Sequence, residues 1–103
     1  MIIRLVKMSF KTEEVDNFLS FFETVKSKIR AREGCTHLAL WQQKNQPNVL
    51  FTFSLWENES ALESYRHSDL FKETWALTKI KFNGQPEAWS VEQLVSSDNN
   101  ILG

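Results

Sequence analysis

The residues of this 103-residue chain that could do chemistry are few: His37, His67, Cys35, Tyr65 and four tryptophans. The most informative stretch runs from Val49 to Trp75. An apolar segment stops at Trp56, an acidic helix start follows, and a broken amphipathic helix carries Tyr65, His67 and Trp75. Large rings gathered around a strand end can enclose a flat organic ligand. An imidazole titrates near neutrality, the value wanted in a base that deprotonates a phenol or quinol, so His67 and His37 are the candidate catalytic residues. Neither stands with carboxylates at a metal-binding spacing, and no metal is expected. Three glycines, two of them at helix ends, leave no phosphate-cradling loop. No serine or cysteine has a base beside it. What is left is a pocket with a candidate base, and no cofactor is expected.

Composition narrows the partners. Twelve Lys and Arg against thirteen Asp and Glu give a net charge of −1, which supplies no basic field for nucleic acid. Cys35 is the single cysteine, so an internal disulfide is excluded, and its simplest reading is an inert, small apolar residue. The first apolar segment is interrupted by Arg4 and Lys7, unlike a secretory leader, and no run of 18 apolar residues suggests a membrane span. The expected location is the cytoplasm.

These side chains need elements to hold them. Residues 2–10 read as a strand with Ile2, Arg4, Val6, Met8 and Phe10 on one face and Ile3, Leu5 and Lys7 on the other. Thr12 is the expected cap of a helix over about residues 12–32, whose stripe is Val15, Phe18, Leu19, Phe22, Val25 and Ile29, and Gly34 closes it. Residues 36–43 and 49–56 form a hairpin across a loop of about five residues, Lys44 to Asn48. Asn58 or Ser60 caps a short helix, Ser68 and Asp69 begin a longer one ending before Gly84, and a last strand covers Glu87 to Leu94. A domain over residues 1–95 is followed by a polar tail, 96–103, expected to be flexible or to pack on a partner.

The order strand, helix, strand, strand, helix, strand is that of an α+β, ferredoxin-like βαββαβ fold: a four-stranded antiparallel sheet with its helices on one face. The other face carries large apolar residues. Four strands roughly 17 to 20 Å long present about 350 to 400 Å², worth on the order of 9 kcal/mol if apolar and left wet. The expected cover is the same face of a second copy, a homodimer through the open sheet face.

A strand ending at Trp56, the run Glu57-Asn58-Glu59-Ser60-Ala61-Leu62 and then Tyr65-Arg66-His67-Ser68 before Phe71 resemble the antibiotic biosynthesis monooxygenase family of dimeric α+β barrels over residues 2 to about 94. The resemblance implies that fold and a pocket for small aromatic compounds. It matches the phenol-oxidising members at Trp56, whereas Thr52 replaces their Asn and Leu62 their Tyr. The Asn, Trp and His of the haem-degrading members fall at Lys7, Tyr65 and Trp75, and all three differ. The resemblance thus implies a cofactor-independent monooxygenase of a phenolic or quinol-like compound, with Trp56, Tyr65, Trp75, Trp41 and Thr52 about the ring and Arg4 or Arg66 stabilising an anion. The competing expectation is a non-catalytic binding or stress-related dimer, in which Trp56, Tyr65 and Trp75 are core rings, His37 is a hydrogen-bonded structural residue and His67 an exposed junction.

Overall fold

Alternation of apolar side chains in the first nine residues produces β1, Ile2–Ser9, the strand against which the rest of the protein is built. The computed structural model describes residues 1–98. The remaining elements are α1 (Val15–Arg30), β2 (Cys35–Gln43), β3 (Gln46–Trp56), α2 (Glu59–Arg66), α3 (Asp69–Lys79) and β4 (Glu87–Val91). The strands lie in the order β2-β3-β1-β4, every neighbouring pair antiparallel, which is the ferredoxin-like arrangement. Most of the expected tail, residues 99–103, lies outside the described residues, and Leu94 and Val95 are exposed.

Several boundaries differ from expectation, each for a local reason. Thr12 makes no cap; it opens a 3₁₀ turn, Thr12–Glu14, ahead of α1. The hairpin turn is only Lys44-Asn45, because Pro47 is absorbed in β3. The register steps from Gln42↔Leu50 to Gln43↔Gln46, so Pro47 sits in a bulge, where its missing N–H breaks no ladder bond. The two helices after Trp56 have separate caps: Asn58 Oδ1 accepts from the Ala61 N–H at 2.9 Å and Ser68 Oγ from the Phe71 N–H at 3.1 Å. Ser60 is therefore not the cap. Strand β4 stops at Val91, short of Leu94, and α3 stops at Lys79.

Helix α1 lays Phe18, Phe22, Val25 and Ile29 on Met8, Phe10 and Leu50 of the sheet to form the main core. A smaller core joins Cys35, Trp56 and Leu62 under α2. Gly34 links the two, at a φ of 84° that a side chain would resist, and its carbonyl accepts the Glu57 N–H at 2.8 Å.

The opposite sheet face is apolar and has no helix over it. Trp41 stacks on Phe53 with centroids 4.7 Å apart, and His37 meets the same ring edge-on at 5.7 Å. Phe53 is thereby only 3% exposed, while Trp41, Trp89 and Val91 remain 46, 43 and 41% exposed.

Candidate functional site

The helices do not fill all the space above the sheet. Between them lies a cavity of about 340 Å³. Strand alternation supplies its floor: Val6 and Met8 from β1, Thr52 and Ser54 from β3, Leu38 from β2 and Ala88 from β4. Helix α1 contributes Phe18, Phe22 and Ile29, α2 contributes Leu62, Tyr65 and Arg66, and α3 contributes Phe71, Thr74, Trp75 and Thr78. The break at His67-Ser68 matters here, because it brings the last turn of α2 and the first turns of α3 to the same space.

Rings form much of the wall. Tyr65 stacks on Trp56 at 5.1 Å and meets Phe71 edge-on at 5.3 Å, and Phe71 lies parallel to Trp75 at 6.1 Å. The polar groups are few. Burial pushes the Tyr65 phenol up to about 12, with a smaller push from Cys35, so Tyr65 stays a neutral phenol near neutrality, able to donate its O–H or accept at its oxygen. Arg4 projects from β1 on the helix side, and its Nη1 donates to Ser90 Oγ at 3.0 Å. Burial, and then the charge of Arg66, lower the Arg4 pKa, against a smaller upward pull from the Glu63 carboxylate. Arg66 donates to Glu63 Oε1 at 2.8 Å. Ser54 accepts the indole N–H of Trp56 at 2.9 Å, which leaves its own O–H to donate elsewhere.

A family model described as antibiotic biosynthesis monooxygenase matches residues 1–77. The chain belongs to the antibiotic biosynthesis monooxygenase family. The fold is shared with a conserved protein from Methanosarcina mazei Go1 at 25% identity and a TM-score of 0.85, over 91% of this chain and 94% of that one. It is also shared with an antibiotic biosynthesis monooxygenase at 16% identity and TM-score 0.85, over 92% and 100% of the two chains. A protein from Mycobacterium tuberculosis, Rv0793, is similar at 13% identity and TM-score 0.83, over 94% and 98%. No curated protein matches the chain.

Within this family fold, the structure divides the residues singled out from sequence into three sets. Arg4, Thr52, Tyr65, Arg66 and Trp75 line the cavity together. Trp56 does not; it is fully buried behind Tyr65 and backs the cavity wall through its stacking on Tyr65 and its hydrogen bond to Ser54. His37 and Trp41 lie on the other face of the sheet, against Phe53. The reason is parity: β2 turns Leu38 and Leu40 toward the helices, and a bulge at Thr36 sets Cys35 opposite Trp56 and His37 opposite Leu55. His67 ends α2 with its side chain 76% exposed and its Nδ1 2.8 Å from the Glu63 carbonyl, which can only accept. It is not part of the cavity wall.

Ser54, Thr74, Thr78 and Glu87 are polar lining residues that the sequence reading did not single out for the site. Ser54 shares the parity of Thr52 and Trp56, a signal that was available. Thr78 gave none, because Leu77 competes with it for the apolar stripe; the structure buries Thr78, satisfies its hydroxyl on the Thr74 carbonyl at 2.7 Å, and exposes Leu77. Among the described residues no group of three or more His, Cys, Asp or Glu side chains is placed to hold a metal, and no helix is long and apolar enough to cross a membrane.

Proposed function

We propose that this chain is a cofactor-independent monooxygenase of a small hydroxyaryl or quinol-like compound and works as a homodimer. The observation that carries the reading is the cavity: a ring-lined space of about 340 Å³ bordered by two arginines and the Ser54 hydroxyl, in a chain of the antibiotic biosynthesis monooxygenase family. Its volume stands at the low end of ligand pockets, suited to one or two fused rings.

The ring lies against Phe71 and Trp75, with its oxygen near the arginines. A nearby cation favours the deprotonated oxygen over the phenol, and Ser54 O–H orients it. Neither histidine lines the wall, so in this reading the proton leaves to water at the cavity mouth. The electron-rich ring carbon then forms a bond to O₂, and the resulting hydroperoxide loses water and leaves a carbonyl. The balance is quinol plus O₂ to hydroxyquinone plus water, with all four electrons drawn from the substrate. Apolar walls keep other water from the peroxide.

The test is oxygen uptake with 1,4-naphthalenediol and a panel of hydroquinones and naphthols, with the hydroxyquinone product assayed. One O₂ consumed per product is expected. Arg4→Gln should slow the reaction by about tenfold or more, the scale of a lost charged hydrogen bond, whereas His67→Gln and His37→Gln should leave the rate unchanged. The second reading, a non-catalytic binding protein, is favoured by the lack of histidine on the cavity wall. Ligand binding without oxygen uptake above the buffer rate would select it.

The dimer half of the proposal rests on the helix-free sheet face, where Trp41, Trp89 and Val91 stand half-exposed around a buried Phe53. A second copy of the same face covers these rings symmetrically.

A further inference from the structure

Arg4 occupies an unusual place for a guanidinium. It stands on a central strand, between Ile2 and Val6, on the side that the helices cover. Such positions are normally apolar, and Arg4 is partly withdrawn from water there, although its bond to Ser90 lies exposed. Arg4 carries five N–H donors and the Ser90 hydroxyl takes one of them. The ion pairs among the described residues are Lys26–Glu23, Arg66–Glu63 and His67–Glu63, and none involves Arg4.

Arg66 brings a second positive charge to the same cavity. Its carboxylate partner, Glu63, takes one side of it and is not itself on the wall. Glu87 is the acidic residue that borders the cavity, but it pairs with Lys7 in register and so has the parity of the opposite sheet face. The wall thus carries two guanidiniums against one carboxylate, beside rings, with the Glu63 carboxylate behind it offsetting part of the charge at Arg4.

We infer that the hydroxyaryl substrate also carries a carboxylate, whose two oxygens take the unused donors of Arg4 and the free side of Arg66 while its ring lies against Phe71 and Trp75 and its reacting hydroxyl is left to Ser54 within the field of the two cations. A carboxylate fits better than a phenolate because its two coplanar oxygens match the guanidinium fork, whereas a phenolate offers one. The lowered pKa of Arg4 agrees, since an anion beside it would offset both the burial and the repulsion from Arg66. This inference rests on the reading that the cavity holds the ligand, and it specifies the substrate of that same site.

The experiment compares 2-naphthoate with its uncharged isostere 2-naphthamide by calorimetric titration into the full chain, without O₂ turnover. The acid should bind about 10- to 100-fold more tightly than the amide, the range of a charged hydrogen-bond pair. Arg4→Gln should reduce that preference to within about threefold while leaving the amide affinity unchanged, and Arg66→Gln should reduce it in part. Because Arg66 is itself an exposed residue at the end of α2, its variant carries the test if Arg4→Gln does not fold. Equal affinity for acid and amide overturns the carboxylate inference and leaves the ring cavity standing. Failure of both to bind at millimolar concentration overturns the inference and the cavity reading together.

Discussion

The Nε1–H of Trp56 donates to Ser54 Oγ over 2.9 Å, between two residues on the same side of β3, one wholly buried and the other on the cavity wall. The bond satisfies the indole and also fixes the direction of the serine hydroxyl. Ser54→Ala strands a buried N–H and should cost about 1 to 3 kcal/mol of stability in urea melts. Trp56→Phe should cost at least as much, through lost packing. In a double-mutant cycle the two effects should fall short of additive, since either change breaks the same bond.

Tyr65 should make stability depend on alkaline pH. Its folded pKa of about 12 lies above the ordinary 10, so the unfolded chain loses this proton first as pH rises. The contribution is fully present below pH 10 and disappears between pH 10 and 12, on the order of 2 kcal/mol for a shift of that size. Comparing urea melts of the native chain and Tyr65→Phe at pH 8 and pH 11.5 isolates it from the lysines. The native chain should lose more than the variant.

Gly34 should resist any side chain. Its φ of 84° is left-handed, and an added Cβ would come 2.4 Å from the Ala61 Cβ. Gly34→Ala should destabilise by roughly 2 kcal/mol or more from backbone strain and overlap combined. Pairing it with Ala61→Gly relieves the overlap and leaves the strain, so thermal melts should show partial rescue.

Charge on the open sheet face should separate the proposed dimer. The native chain is expected to sediment at twice its 12.1 kDa mass, and Trp41→Glu with Trp89→Glu at 12.1 kDa with unchanged far-ultraviolet dichroism. A native chain that sediments as a monomer at tens of micromolar would remove the symmetric pairing from the proposal.

The elements were readable in the chain because each carries its own period and punctuation. The Asn58 and Ser68 caps and most of the α1 stripe are local signals that the structure follows, whereas α1 ends at Arg30 on an Ala31 cap, ahead of Gly34, and leaves Leu19 exposed. The strand order needed only the sequence of elements and the handedness of crossovers. Pro47 misled because a proline reads as a turn, whereas a bulge lets it stay in β3. The site was less legible. Arg4 and Thr52 share a parity that places them under the helices, yet parity alone does not say which face of the sheet holds a cavity. His37 and Trp41 drew attention through chemical type, and the β2 register carries both to the opposite face. The Trp56 indole was visible as a group needing an acceptor; that the acceptor is Ser54, and that the hydrogen bond reaches the wall, required three dimensions.

The separate caps of α2 and α3 make the site modular. Arg66 belongs to the helix begun by Asn58, Phe71 and Trp75 to the helix begun by Ser68, and Arg4 to β1, so the charged and the aromatic parts of the cavity wall are anchored on separate elements. In descent from a common ancestor, one part can drift while the other is retained, so the charge of the wall can change at β1 and α2 without disturbing the rings of α3.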